Sequence, residues 1–119
     1  MELKEFLEKQ EKLDQFIFMK NLDNFKDLSD NDLDKHLLVC KILAAITELG
    51  EYANELQGDG FKYWKKKPKA DKQKRLEEFV DVWHFMFSIA NHEGFTAEDI
   101  EDAYNRKYEI NIQRQREGY

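Results

Sequence analysis

Proline occurs once in the 119 residues, cysteine once and glycine five times. With so few breakers, a helix that has started meets little to stop it. The single cysteine, Cys40, excludes an internal disulfide and fits a reducing compartment. It lies within an apolar helical run, which predicts a small buried residue rather than a nucleophile. No apolar run approaches the ~20 residues of a membrane span, and no stretch reads as a signal peptide, so the cytoplasm is the expected location. Positive charge is also short, with 19 Lys and Arg against 25 Asp and Glu. Phosphate backbones call for a basic face, so nucleic acid is not an expected partner. There is no phosphate-cradling glycine loop, nucleophile elbow or zinc-ligand spacing.

What is present is helical. Apolar residues recur at helical spacing between the few breaks, and they divide the chain into four predicted helices with no strand, repeat or low-complexity tract. The first runs from about Glu2 to Lys20, with Leu3, Phe6, Leu7, Leu13, Phe16 and Ile17 as its apolar set. A polar connection, Asn21 to Leu28, precedes Ser29, which stands three residues before Asp32 in a capping-box-like start. The second helix continues to about Gln57 and stops at Gly58-Asp59-Gly60. The third runs from about Asp71 to His92 and ends near Gly94. Thr96, with Asp99 three residues on, caps the fourth, which reaches about Arg116. The length suggests one domain, residues 1–119. At 41% hydrophobic and 37% charged, its core is thin for a small domain, and a homodimer is expected to complete it.

The second helix has two unlike faces. Ile42, Ile46, Leu49, Ala53 and Leu56 form one apolar stripe. Roughly opposite, Leu37, Cys40, Ala44, Glu48, Glu51 and Glu55 form a row that begins apolar and ends acidic. A helix apolar on two sides is usually sandwiched in a core, so the acids are expected to point into a protein-lined cleft. In the third helix, Phe79, Val80, Trp83, Met86, Phe87 and Ala90 read as core, while Glu78, Asp81, Phe85 and Ser88 share another side.

Glu48 and Glu51 stand i,i+3 on one helix, and Glu78 and Asp81 stand i,i+3 on another, so each pair shares a face. If the faces meet, four carboxylates converge, and without a cation some would take up protons. Hard oxygen ligands suit magnesium, which keeps waters and binds substrate phosphates. Solvated acidic faces are the other reading of the same spacing. The segment Phe61-Lys62-Tyr63-Trp64-Lys65-Lys66-Lys67-Pro68 offers aromatics to stack on a base and lysines to attract a polyphosphate, or it is an ordinary basic loop. Lys107, Asn111 and Arg114, at four- and three-residue steps on the fourth helix, fit either a phosphate or a polar helix end with cations placed favourably against the dipole. His36 and His92 read as surface residues near helix ends. His84 lies one turn from Asp81, at the core edge or facing the cleft.

Taken together, Glu48-x-x-Glu51 followed by Glu78-x-x-Asp81 resembles the signature of the all-α, MazG-like nucleoside triphosphate pyrophosphatases. Four longer stretches resemble the dimeric dUTPase branch, in its short phage and Gram-positive form. These are QEKLDQFI (10–17), ELGEYANELQGDGFKYWKKKP (48–68), EEFVDVWHFMFSIAN (77–91) and the tail KYEINIQRQREGY (107–119). The resemblance implies a four-helix bundle and hydrolysis of dUTP, with dUDP also accepted, to dUMP and pyrophosphate. It implies that Glu48, Glu51, Glu78 and Asp81 bind magnesium, with manganese as a substitute, and that Glu48 positions or deprotonates the attacking water. Gln10, Asp14, Trp64 and Phe85 then match the uracil pocket, with His84, a position that varies among relatives, beside them. Lys62 and Lys65 lie in the matching loop, and Lys107, Asn111, Arg114 and Tyr119 match the sugar- and phosphate-binding tail. Position 14 is Asp where relatives often carry Asn, which leaves its hydrogen bonding to uracil open. Longer relatives carry an extra helical segment between the third motif and the tail, which is here a short connection. Phage relatives also imply repressor binding, which no residue here marks. A pyrophosphatase of other base specificity, or a non-catalytic helical interaction protein, would share the scaffold. The Phe61–Lys65 segment with Gln10 and Asp14 separates the first of these from a dUTPase, and the acidic quartet separates the second.

Overall fold

The computed structural model describes residues 1–56, 62–65 and 71–118. Among these residues there are four α-helices: α1 (Leu3–Lys20), α2 (Asp30–Leu56), α3 (Lys72–Glu93) and α4 (Ala97–Arg116). A short 3-10 turn at Leu22–Phe25 lies between α1 and α2, and the described residues contain no strand. The all-α expectation and the helix limits hold to within a residue or two. Gln57 to Phe61, Lys66 to Ala70 and Tyr119 lie outside the described residues, and with them the expected stop of the second helix at Gly58-Asp59-Gly60.

Local chemistry sets the helix ends. The Ser29 hydroxyl accepts the Asp32 N–H at 3.2 Å, and the Asp71 carboxylate accepts the Lys74 N–H at 2.8 Å. Thr96 and Asp99 exchange bonds of 3.1 and 2.9 Å in a complete capping box. Each side-chain oxygen satisfies an amide that the first helical turn leaves without a partner. Gly94 ends α3 at φ 76°, a left-handed conformation that costs glycine little. Phe95 then donates its N–H back to the Ala90 carbonyl at 2.9 Å. Only three residues, 94–96, separate α3 from α4.

The helices do not pack evenly. The α2–α3 pair is the most extensive contact, α1 lies along α3, and α4 meets α1 at a few points. Ring contacts run along the outside of this arrangement, from Phe6 through Phe87, Trp83 and Phe79 to Tyr52, with centroids 5.4 to 6.3 Å apart. Among the described residues only Leu7, Ala45 and Ala90 are buried apolar side chains. Most of the expected core is open to solvent in the protomer. This includes Phe6, Leu13, Phe16 and Ile17 of α1, Ile42, Ile46, Leu49 and Leu56 of α2, and Phe79, Val80, Trp83 and Met86 of α3. The periodicity identifies apolar stripes correctly, but among the described residues α2 is covered mainly on its acidic side, α1 along its contact with α3, and α3 in part.

Two further expectations change. Cys40 is exposed, not buried. The α2 row that meets α3 runs through Lys41, Ala45, Glu48, Tyr52 and Glu55, and Cys40 sits about a quarter turn off it at the 3.6-residue period. There its sulfur lies 3.5 Å from His36 Nε2. His92, expected at the surface, has a side chain only 10% exposed, with Nε2 3.0 Å from Asp34 Oδ1 and Nδ1 3.3 Å from Lys41 Nζ. It closes the end of the α2–α3 seam remote from the acids. Among the described residues no helix is long and apolar enough to cross a membrane.

Candidate active site

At the other end of that seam the acidic motifs meet. Oxygens of Glu48, Glu78 and Asp81 all lie within 4.8 Å of one another. Glu48 and Glu78 are half-buried and Asp81 is exposed. Glu51 is not in this trio, but its charge acts on both Glu48 and Glu78. At an effective dielectric of about 20, each pair of charges at this range repels by about 3 kcal/mol before screening. Burial, and then the Asp81 and Glu78 charges, push Glu48 above the usual carboxylate range. Burial, and then Asp81, do the same to Glu78, against a smaller opposing effect of Lys74. An acidic trio held this close is a set of hard oxygen donors suited to a divalent cation.

One residue of this region was not anticipated as special. Glu55, the last acid of the α2 row, is only 3% exposed, and its Oε1 lies 3.9 Å from Lys74 Nζ on α3. Its charge also raises Glu78. Its place in the row was legible, but its depth depends on what α3 lays across it.

The residues expected around the base divide into two groups. Gln10 and Asp14 of α1 meet His84 and Ser88 of α3. Gln10 Nε2 donates to Asp14 Oδ1 at 2.9 Å, Ser88 Oγ donates to Asp14 Oδ2 at 2.6 Å, and Gln10 Oε1 lies 2.7 Å from His84 Nδ1. The periodicity puts Ser88 on the acidic side of α3, and its partner across on α1 is not legible from α3 alone. Asn91, one turn on, donates to the Leu7 carbonyl at 2.8 Å, which fixes α1 on α3. Gln10 and His84 form a polar edge on a groove of about 720 Å³ whose other walls are mostly apolar, including Phe6, Val80, Trp83 and Phe87. Phe85 is half-buried on the Glu78–Asp81 side of α3. Trp64 is exposed and makes an edge contact with Tyr63 at 5.3 Å. Lys62 is half-buried and Lys65 exposed in the same turn.

The tail stands apart. Lys107 and Asn111 line a shallow depression on α4 with Tyr104, Tyr108, Ile112 and Gln115, and Arg114 follows on the last turn. None of these cations is among the charges acting on Glu48 or Glu78. Tyr119 lies outside the described residues.

An all-helical scaffold that converges carboxylates from two i,i+3 pairs defines a class, the all-α proteins with a paired-carboxylate site. The particular family follows from comparison with known sequences. The dUTPase family model matches residues 2–94 and 87–119, and the chain belongs to that all-α dUTPase family, with dUTP hydrolysis as its activity. The two matched stretches overlap at the end of α3, where this chain has its three-residue connection. Searches of curated proteins and of solved structures returned no match.

Proposed function

We propose that this chain hydrolyses dUTP, and dUDP as a second substrate, at the Glu48–Glu51–Glu78–Asp81 site in a magnesium-dependent reaction. The observation that carries this reading is the approach of Glu48, Glu78 and Asp81 to within 4.8 Å. Four carboxylates, three of them in mutual reach, are the residues that would hold magnesium, or manganese in its place. Bound there, the cation offsets phosphate charge and lowers the pKa of a water. Glu48 takes the proton from the attacking water. Its half-buried carboxylate stands among the oxygens of the trio, where a water held beside the cation would lie within hydrogen-bond reach of it. The water oxygen bonds to the α-phosphorus, the anhydride between the α- and β-phosphates breaks, and pyrophosphate from dUTP, or phosphate from dUDP, leaves with that electron pair. Gln10, His84, Phe85 and Trp64 receive the uracil, with Asp14 behind Gln10 in the same pocket. Lys62, Lys65, Lys107, Asn111, Arg114 and Tyr119 hold sugar and phosphates.

The working unit is a homodimer. The chain exposes 9682 Å², against about 6,800 Å² for a compact monomer of its mass. Its radius of gyration is 18.0 Å, against about 13.5 Å for a compact domain of this length. A second copy laid on the open stripe of α2, with Ile42, Ile46 and Leu49, supplies apolar cover that a single core lacks. The setting is cytoplasmic, and neither nucleic acid nor membrane is a partner.

A panel of dUTP, dUDP, dCTP and dTTP, each with magnesium or with EDTA, tests the reading, with light scattering on the same sample for mass. Turnover of dUTP lost in EDTA and in Glu48→Gln is the expected result. Equal turnover of all four nucleotides, or turnover that survives EDTA, refutes it.

A further inference from the structure

The hydrogen-bond chain from α1 to α3 has a direction, and the direction follows from Asp14. A carboxylate only accepts. Asp14 therefore draws the Ser88 hydroxyl to Oδ2 and the Gln10 amide nitrogen to Oδ1. With its nitrogen committed, Gln10 turns its oxygen to His84 Nδ1 at 2.7 Å. An amide oxygen also only accepts, so the proton in that contact sits on Nδ1. In a neutral imidazole the other nitrogen then carries a lone pair. Turning the Gln10 amide over would set its carbonyl against the carboxylate. Gln10 and Ser88 are 6% and 2% exposed, so little water is at hand to repair that loss.

We propose that Asp14 and Ser88 are positioning residues that act through Gln10 to hold neutral His84 in the Nδ1-protonated tautomer, so that Nε2 presents an acceptor to the imide N–H of the base. This rests on the dUTPase reading and takes its base selection one step further. Uracil carries an N–H at ring position 3, whereas cytosine carries a bare acceptor nitrogen there. The acceptor on Nε2 pairs with the first and repels the second. Thymine has the same N–H as uracil, so this device does not separate dUTP from dTTP. Packing around the extra methyl does that instead. His84 is exposed and lines the groove, so a ligand reaches Nε2. Asp81 lies one turn away on the same face, within the span of a nucleotide whose phosphates meet the carboxylates.

The tautomer is read without substrate. Long-range proton–nitrogen correlation spectra of the full chain, labelled at its three histidines, are recorded at about pH 8, where imidazoles are ordinarily neutral. The His84→Asn spectrum assigns the His84 signals. The expected pattern is protonated Nδ1 with bare Nε2 in the wild type, shifting toward the other tautomer in Asp14→Asn and Ser88→Ala and restored in Ser88→Thr. Protonated Nε2 in the wild type overturns the proposal, as does a pattern that neither variant moves. In kinetics, Asp14→Asn lowers the kcat/KM preference for dUTP over dCTP by about tenfold or more, while the preference over dTTP stays within about twofold. Equal loss of both preferences reveals a merely structural role and overturns it. Failure of the enzymatic reading is separable, because the wild type's dUTP turnover tests that reading by itself.

Discussion

Helix α2 carries two surfaces of opposite logic. The row toward α3 encloses polar groups, Glu48 and Glu55, beside small Ala45, while the row away from it leaves Ile42, Leu43, Ile46 and Leu49 open to water. An amphipathic helix in an isolated domain has these the other way round. The inner row keeps like charges closer than stability alone would choose. The outer row keeps apolar area exposed at a cost of roughly 25 cal/mol per Å². The first is intelligible as a site and the second as an interface. Changes to the inner row should therefore alter chemistry while sparing the fold, and changes to the outer row should do the reverse.

The largest effect is expected on the inner row. Glu48→Gln removes the proposed proton acceptor and one proposed oxygen donor together, and kcat for dUTP should fall by roughly 10²–10⁴. Metal-free thermal stability should hold or rise, because a repelling charge has gone from beside Asp81 and Glu78. Steady-state kinetics with a melting curve on the same protein checks both halves. A variant equally inactive but strongly destabilised would break the contrast between the two rows.

On the outer row, Ile46 is 63% exposed in the protomer. Ile46→Asp should leave the helix content unchanged and weaken self-association by about 2 kcal/mol or more, roughly thirtyfold in Kd. Sedimentation across a dilution series measures it, with Ile46→Leu as the silent control. An unchanged dimer would move the interface off this face.

Acidification sharpens the comparison further. Glu48 and Glu78 have folded values above the ordinary 4.5, so the folded chain binds protons that the unfolded chain has released. The penalty of their ionised forms is complete above the raised values. It is relieved as pH falls through them toward about 4.5. Metal-free stability should therefore rise on mild acidification from neutrality, by a modest amount since water screens both groups. Magnesium at neutral pH should raise Tm, and by less at the acidic end, where protons compete for the same oxygens. A Tm that falls steadily from pH 7 to 5 without metal would contradict the sign.

How much of this could be read from the residues depends on range. Ser29 with Asp32, Thr96 with Asp99, and Gly94 act within one turn of their own chain, and the helices end where those residues say. The i,i+3 acids were equally legible, because helix geometry alone puts each pair on one face. Burial was not. Whether Cys40 or Lys41 lies under α3 turns on the rotation of α2 by about a quarter turn, and an apolar pattern wrapped on two sides leaves that angle free. Glu55, Ser88 and His92 were misjudged or passed over for the same reason. Each takes its character from a partner on another helix, 19 to 74 residues away. The exposure of the outer stripes has a different cause. The sequence marks them as apolar but does not say whether their cover comes from the same chain.

The smallest expected effect lies farthest from both rows, at the start of α4. Thr96 and Asp99 close a reciprocal cap, and the bonds from Thr96 hold the Asp99 carboxyl below its ordinary 3.8. A lowered acid contributes stability above its unfolded value and loses it as pH falls below that value, so this cap is intact throughout the range in which Glu48 and Glu78 titrate. Thr96→Ala should cost about 1 kcal/mol of helix stability. Because α4 meets the rest of the chain at few points, the loss should appear as faster amide exchange across the first turns of α4 rather than as a lower Tm for α2 and α3. The same variant should leave kcat unchanged and raise KM by a small factor if Lys107 and Arg114 serve the phosphates from this helix. Exchange that quickens equally along α2 would mean that α4 is coupled to the seam more tightly than its packing indicates, and the division between a catalytic seam and a loosely held tail would have to be redrawn.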